Sequence, residues 1–263
     1  MSKFRTIHIS NPQYELGNLR HIVVKSTNLK GRGDISVYVP EDRTQQRLPL
    51  VLLLHGVYGS HWSWAYHAGI HKKMDEWIAS KQVPPMALAM PSDGLWGDGS
   101  GYVPHTTQNF EKWIAEDVVE AVLETILQVD EKSPLFIAGL SMGGFGALRI
   151  GAAYHEKFKG ISGLSSITHI SQMALFVEEE LEHYKQHNPV DESVLETLIT
   201  HKDKLPKLRF DCGLQDNLLE ANRELHQQLE RNAIPHIYNE FPGEHNWEYW
   251  GEHILETLQF FTN

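Results

Sequence analysis

Short apolar runs alternate with longer segments of helical periodicity from about residue 50 to the end of the chain. Most of these runs are apolar at nearly every position, as strands are when helices cover both faces of a parallel sheet. The alternation therefore predicts an α/β fold with a mostly parallel central sheet and helices on both faces. The predicted strands are Leu50 to Leu54, Met86 to Met90, Leu135 to Leu140, Lys159 to Leu164, Lys207 to Cys212 and His236 to Phe241.

Helical periodicity is clearest from Asn109 to Val129, where apolar residues recur at i, i+3 and i+4 spacing. Ahead of the alternating region, Leu19 to Ser26 and Asp34 to Val39 are predicted strands joined around Gly31-Arg32-Gly33. A glycine-flanked turn of this kind favours an antiparallel hairpin, which we place at one edge of the sheet. The other predicted helices are His67 to Ser80, Met142 to His155, Asn217 to Asn232 and Asn246 to Phe261.

One connection is longer than the others. Between the strands that end near Leu164 and begin near Lys207 lie roughly 40 residues, far more than one crossover usually needs. Ser171 to Tyr184 and Asp191 to His201 have helical spacing, and the acidic run within the first segment is typical of a solvated helix face. We therefore expect residues 1–263 to form one domain, with residues 165–206 as a small helical cap insertion.

The composition excludes several classes of function. The formal net charge of −11 disfavours binding to nucleic acid or to an anionic membrane. The longest apolar runs are much shorter than the roughly 20 residues of a membrane-spanning helix, and Met1 to Glu15 lacks a hydrophobic block. With Cys212 as its one cysteine, the chain forms no internal disulfide, and a cytoplasmic location is expected. The sequence does not indicate an oligomeric state.

Gly139-Leu140-Ser141-Met142-Gly143 matches the pattern G-x-S-x-G. The match lies between a predicted strand and a predicted helix, where a sharp turn can point a serine hydroxyl out of the end of the sheet. Small residues must flank that serine because a Cβ atom would collide there. A simple strand-to-helix turn is the alternative interpretation of the same pattern.

Together with this motif, further residues carry a resemblance to a known family. The chain resembles the α/β hydrolases and, among them, the esterase D group of esterases, which includes tributyrin esterases, S-formylglutathione hydrolases and feruloyl esterases. The residues that carry the likeness are His55-Gly56, Gly59, Trp64, the run Gly-Leu-Ser-Met-Gly-Gly from Gly139, and Asp211-Cys212-Gly213. The likeness implies an α/β-hydrolase fold from about Leu19 to Phe261, and it is weakest across the insertion.

A serine nucleophile needs a base to take its proton and an anion to orient that base. In α/β hydrolases the acid and then the histidine follow the serine, each in a loop after a strand. Asp216 and His245 lie in such loops and are predicted to be the acid and the base. Asp216 and His245 are also plausible helix caps, and Glu244 is a fallback partner for the histidine. Asp211, within a strand, and Asp203, before it, are less favoured acids.

The oxyanion of the intermediate needs preorganised N–H donors. The amide of Met142, which follows the serine, is one candidate, and the resemblance implies that the amide of Val57 is the other. Four aromatic residues in loops near the predicted catalytic edge are candidate substrate-binding residues, although core packing explains them equally well; they are Trp62, Trp64, Trp96 and Tyr102. His55 is expected to be structural.

No metal or cofactor is expected, although His67, His71 and Asp75 fall at i, i+4 and i+8, a spacing that superficially suggests ligands. We predict a serine carboxylesterase that acts on short-acyl or carbohydrate esters, with a small-molecule ester as its partner. An S-formylglutathione hydrolase-like thioesterase and an acyltransferase with the same triad are alternatives. A catalytically silent binding module on the same fold is the alternative of another class.

Overall fold

The protein is described by a computed structural model that covers residues 2–41 and 47–262. Within these residues the strands are β1 (Ile7–Ile9), β2 (Leu19–Ser26), β3 (Gly31–Tyr38), β4 (Leu50–Leu54), β5 (Ala87–Pro91), β6 (Leu135–Leu140), β7 (Phe158–Leu164), β8 (Lys207–Gly213) and β9 (Ile237–Phe241). They form one sheet in the order β1-β2-β3-β5-β4-β6-β7-β8-β9. In this order, the six strands β5, β4, β6, β7, β8 and β9 pair in parallel. Strands β1, β2 and β3 pair antiparallel with their neighbours. The predicted mostly parallel sheet is confirmed.

Helices cover both faces of this sheet. They are α1 (Ser63–His67), α2 (Ile70–Ala79), α3 (Phe110–Lys112), α4 (Val119–Thr125), α5 (Met142–Ala153), α6 (Val194–Thr200), α7 (Leu219–Arg231) and α8 (Trp247–Thr262). Strand β4 shows how the faces divide, because Leu50, Leu52 and Leu54 join one buried cluster while Val51 and Leu53 join the other. Helices α4, α5 and α7 pack in the first cluster, and α1, α2 and α8 pack in the second.

Two predicted helices differ from the observed ones. The helix expected from Asn109 to Val129 begins after the cap Asn109, contains a π-helical segment at Trp113–Val118, and ends at Thr125, where Ile126 becomes extended. The helix expected from His67 to Ser80 corresponds to α2 and begins later, at Ile70, because Gly69 with its φ of 63° separates α2 from the short helix α1 that ends at His67.

The predicted hairpin forms, but its turn was placed wrongly. Ser26 pairs with Gly31, so the turn occupies residues 27–30, and both glycines lie within β3. Gly33 is small for another reason: a Cβ atom there would lie 2.3 Å from the indole of Trp113. The sequence prediction also missed β1, which pairs with β2 and forms the edge of the sheet.

Residues 165–206 form short helical turns. These are 3-10 helices at Ile170–Leu175, Leu181–Tyr184, Pro189–Glu192 and Lys202–Lys204, together with α6. The continuous helix expected from Ser171 to Tyr184 is therefore wrong. Tyr184 donates a hydrogen bond from its hydroxyl to the carbonyl of Gly99 at 2.8 Å, and Glu179 accepts one from the amide of Asp98 at 2.8 Å. These contacts hold the insertion against the loop after β5. Its role as a cap stays a prediction.

Candidate active site

Ser141 occupies the turn between β6 and α5 with φ 53° and ψ −120°, a conformation that side-chain-bearing residues rarely adopt. The turn is tight because the backbone approaches itself on both sides. A Cβ atom on Gly139 would lie 2.2 Å from the carbonyl oxygen of Gly143, and one on Gly143 would lie 2.4 Å from that of His55. Both positions therefore require glycine, as the motif predicts.

Three predicted residues meet at the carboxyl edge of the parallel strands. Ser141 follows β6, Asp216 follows β8 and His245 follows β9, so the sheet brings distant parts of the chain together. The Nε2 atom of His245 lies 2.9 Å from the hydroxyl of Ser141. Its Nδ1 atom lies 2.8 Å from Oδ2 of Asp216. The hydroxyl, the imidazole and the carboxylate thus form one hydrogen-bonded line.

The environment of Asp216 keeps its carboxylate ionised and thereby determines which nitrogen of His245 carries the proton. Its carboxylate is buried, which alone would raise its pKa, but the hydrogen bond and charge of His245 and the amide of Leu218 outweigh burial and lower the pKa. The amide of Leu218 donates to Oδ1 at 2.8 Å, which leaves Oδ2 for His245. An anionic acceptor at Oδ2 keeps a proton on Nδ1 of His245, so Nε2 presents its lone pair to Ser141.

The rival carboxylates either have other partners or are exposed to solvent. Asp211 forms a buried ion pair with Arg209 and accepts a hydrogen bond from the hydroxyl of Tyr249 at 2.9 Å, and burial raises its pKa. Asp203 is exposed in a short 3-10 helix before β8, and Glu244 is also exposed. Asp216 is the carboxylate that contacts the imidazole of His245.

The predicted oxyanion donors lie on two neighbouring loops. Across residues 2–41 and 47–262, the amides of Val57 and Met142 have no hydrogen-bond acceptor. A Cβ atom on Gly99 would lie 2.6 Å from the sulfur of Met142 and 3.3 Å from a methyl group of Val57, so the two residues flank one backbone segment. The loop that carries Val57 is fixed by a hydrogen bond from the amide of Tyr58 to the carbonyl of Asp98 at 2.8 Å. Both amides are thus available for an oxyanion.

His55 stabilises this loop through two hydrogen bonds of its ring. Its ring is buried, Nε2 accepts a hydrogen bond from the amide of Asp93 at 3.0 Å, and Nδ1 lies 2.6 Å from the carbonyl of Gly56. An amide can act as a donor and a carbonyl as an acceptor, so the neutral Nδ1–H tautomer satisfies both contacts. Burial lowers the pKa of His55 and favours this neutral form. The structure agrees with a structural role.

The four aromatic candidates divide into two pairs. Trp64 and Tyr102 are 1% and 0% exposed, and they donate hydrogen bonds to the carbonyls of Leu54 at 2.9 Å and His55 at 3.1 Å. Their prediction as substrate-binding residues is wrong, because their rings pack in the core and their polar atoms are used there. Trp62 is 38% exposed, and Trp96, in the loop after β5, is half-buried with its ring against His105 and Tyr184. Their contact with substrate stays a prediction.

Two rings at the site were missed. The ring of Phe176 stacks on His245 with centroids 5.0 Å apart and planes at 21°. Trp250 meets the same imidazole edge-on at 4.9 Å and 90°. Trp250 lies one turn into the helix after His245, which could have indicated contact. Phe176 comes from the insertion, where no motif marks it and the helical spacing of Ser171 to Tyr184 does not indicate its contact with His245.

The spacing of His67, His71 and Asp75 does not assemble into a site. Asp75 accepts hydrogen bonds from the hydroxyl of Tyr38 at 2.6 Å and from the amide of Asn18 at 3.1 Å. In the part of the chain that the structure describes, no three or more His, Cys, Asp or Glu residues are grouped to hold a metal ion. Within the same residues, no helix combines the length and apolar character needed to cross a bilayer. The cytoplasmic location stays a prediction.

Comparison with known proteins identifies the family. Residues 26–261 match the model of the Esterase family, whose description is "Putative esterase". The chain belongs to this esterase family. The resemblance drawn from the motifs is thereby confirmed, as is the prediction of a carboxylic ester hydrolase at the level of the family.

Individual relatives are distant but match along most of the chain. An acetyl esterase from Caldicellulosiruptor saccharolyticus is 26% identical over 240 residues, which cover 84% of this chain and 86% of the relative. An S-formylglutathione hydrolase from Paracoccus denitrificans (strain Pd 1222) is 22% identical over 247 residues, covering 86% and 83%. The solved structure of a ferulic acid esterase superposes with a TM-score of 0.80 at 21% identity, covering 98% of both chains. The fold is the α/β-hydrolase fold.

Proposed function

We propose that this esterase-family protein is a serine carboxylesterase that hydrolyses short-acyl or carbohydrate esters through Ser141, His245 and Asp216. The observation that carries the proposal is the unbroken line of hydrogen bonds, 2.9 Å from Ser141 to His245 and 2.8 Å from His245 to Asp216. These distances lie within the reach that proton transfer requires. The similarity to an acetyl esterase supports a short acyl group.

In the proposed reaction, Nε2 of His245 takes the proton of the Ser141 hydroxyl as Oγ attacks the ester carbonyl. The amides of Val57 and Met142 stabilise the oxyanion, each by about 3 to 4 kcal/mol as measured for such donors elsewhere. His245 then gives the proton to the departing alcohol oxygen, which leaves an acyl group on Ser141. A water molecule, deprotonated by His245, attacks that acyl group; as the bond from the acyl carbon to Oγ breaks, His245 returns the proton to Oγ, and the carboxylic acid and free Ser141 result.

The charge near the oxyanion loop favours a neutral alcohol over a glutathione thioester. Tyr58, next to Val57, donates from its hydroxyl to the carboxylate of Asp98 at 3.1 Å. Asp98 lies in the loop after β5, where its carboxylate also accepts from the amide of Glu178 and its own amide donates to the carboxylate of Glu179. Glutathione carries two carboxylates, which these acidic side chains would repel. Thioester hydrolysis therefore ranks below hydrolysis of neutral esters, and acyl transfer to an alcohol is distinguished by experiment.

The test is hydrolysis of 4-nitrophenyl acetate by Ser141→Ala, with Ser80→Ala, an exposed serine at the C-terminal end of α2, as the matched control. We expect kcat to fall by about 10⁴-fold or more in Ser141→Ala, as it does when a triad nucleophile is removed elsewhere, and to stay unchanged in the control. A fluorophosphonate probe should label Ser141 in the parent protein. A parent without label or turnover would instead support the silent binding module. Added methanol distinguishes an acyltransferase, because methyl acetate would then outweigh acetate.

A further inference from the structure

A groove of about 690 Å³ lies between α2 and α8, on the face of the sheet that α1 also covers. Its volume falls within the range of sites that bind small molecules. Trp77 of α2 and Trp247 of α8 line the groove together with His67 of α1. We call this the aromatic groove. The catalytic line described above does not include these residues.

The aromatic surface extends beyond the groove. The ring of His67 stacks on Trp247 with centroids 4.9 Å apart and planes at 24°, and Trp62 packs against His67 at 5.3 Å. Trp62 and His67 are exposed. Such rings offer a flat apolar face with negative electrostatic character, which suits the C–H faces of sugar rings.

The polar rim of the groove selects among ligands. Glu248 and Glu252 are exposed carboxylates, and the ammonium of Lys73 is engaged with the carbonyl of Gly251 at 2.6 Å. Carboxylates accept hydrogen bonds from hydroxyl groups and repel anions. A lipid chain would bury these charges without partners, and a two-fold contact with a second copy would bring both pairs of carboxylates together. A neutral ligand rich in hydroxyl groups fits the rim best.

The groove adjoins both loops that build the candidate active site. Helix α1 follows the loop with Val57, and α8 follows the loop with His245. Trp250 contacts the imidazole of His245 at 4.9 Å and the ring of Trp247 at 5.4 Å. Trp250 is 6% exposed, so it connects the groove to His245 through the core, and the helices α1 and α8 both begin beside the candidate active site.

We infer that the aromatic groove binds a neutral glycan, so that an acylated sugar of the same chain is presented to Ser141. The presentation step rests on the proposed function, whereas binding by the groove does not. The recognition consists of ring stacking on Trp77 and on Trp247 with His67, and of hydrogen bonds from sugar hydroxyls to Glu248 and Glu252.

The experiment separates binding from catalysis. Titration calorimetry of the Ser141→Ala protein with xylohexaose, cellohexaose and mannohexaose measures the groove without turnover. We expect at least one of these hexasaccharides to bind, and Trp77→Ala to raise its Kd by about fivefold or more, the effect of losing one aromatic contact. Trp77→Phe should retain most of the affinity for the hexasaccharide, and this variant replaces Trp77→Ala in the comparison if the alanine variant does not fold. Tyr14→Ala, which removes a 76% exposed ring outside the groove, should change nothing.

Two further comparisons sharpen the result. A galacturonate hexamer, with one carboxylate per sugar, should bind more weakly than the neutral hexamers, and Glu252→Gln should narrow that difference. In the active protein, Trp77→Ala should lower kcat/KM for acetylated xylohexaose at least fivefold more than for 4-nitrophenyl acetate.

The inference is overturned if no neutral hexasaccharide binds, if Trp77→Ala and Tyr14→Ala behave alike, or if Trp77→Ala abolishes a dimer seen at higher protein concentration. A parent protein that binds the glycan but does not hydrolyse 4-nitrophenyl acetate would refute the proposed function and leave the glycan site standing.

Discussion

Replacing Asp216 with asparagine is expected to disable His245 while leaving the fold intact. The amide of Leu218 donates to Oδ1 of Asp216 at 2.8 Å, so the asparagine must place its carbonyl oxygen at that position. Its NH₂ group then occupies the position of Oδ2, 2.8 Å from Nδ1 of His245. A donor at this position forces Nδ1 to accept, and the ring proton moves to Nε2. His245 would then direct an N–H at Ser141 and could not take the serine proton.

The expected loss is about 10⁴-fold in kcat, the effect that the same replacement has on serine proteases by imposing the wrong tautomer. That loss equals about 5.4 kcal/mol of transition-state stabilisation at 1.36 kcal/mol per tenfold. Steady-state hydrolysis of 4-nitrophenyl acetate measures it, and urea unfolding checks that the variant is folded. Glu244→Gln is the matched control, since this neighbouring exposed acid should change kcat by less than about twofold. A folded Asp216→Asn protein that kept a tenth of the parental kcat would refute the reasoning.

Two further predictions concern the base and the histidine below the oxyanion loop. Phe176→Ala removes the ring stacked on His245 at 5.0 Å, so kcat should fall by about 3- to 10-fold, the worth of one aromatic contact, while Leu175→Ala, an adjacent exposed residue, should have no effect. Equal kcat values for both variants would contradict a positioning role. Burial holds the pKa of His55 below its ordinary value of 6.5, so below about pH 6.5 the unfolded chain binds a proton that the folded protein does not. Urea midpoints should therefore fall between pH 7.5 and pH 5.5, and a midpoint that rises as the pH falls would contradict the assignment.

The sequence predicted what depends on strand order and local chemistry. Ser141, Asp216 and His245 each follow an apolar strand, and parallel strands end at the same edge, so their convergence could be expected before the coordinates. The need for glycine at Gly139 and Gly143 follows from the sharpness of the same turn. These inferences require no knowledge of how side chains pack.

Packing between distant segments could not be predicted. The local sequence predicts a turn at Gly33, but the structure shows that this glycine makes room for Trp113, which lies 80 residues away. Tyr102 lies in a loop, as expected, whereas Trp64 lies in helix α1. The polar atoms of both residues donate hydrogen bonds to carbonyls at the end of β4 and just beyond it, which turns the rings inward. Local sequence shows that an aromatic residue lies near the catalytic edge, but it does not show which way the ring points.

The contacts of the insertion could not be predicted either, and they involve the candidate active site directly. Phe176 stacks on the imidazole of His245, and two residues later the amide of Glu178 donates to Asp98 at 2.9 Å. The same carboxylate accepts from the hydroxyl of Tyr58, which neighbours the proposed oxyanion donor Val57. One short segment therefore contacts the base directly and is connected, through Asp98, to the loop of the second oxyanion donor. Because both contacts lie within three residues, a change in the conformation of this segment would shift proton transfer and oxyanion binding together. Variants of residues 176–179 that change kcat should consequently also change the preference among substrates.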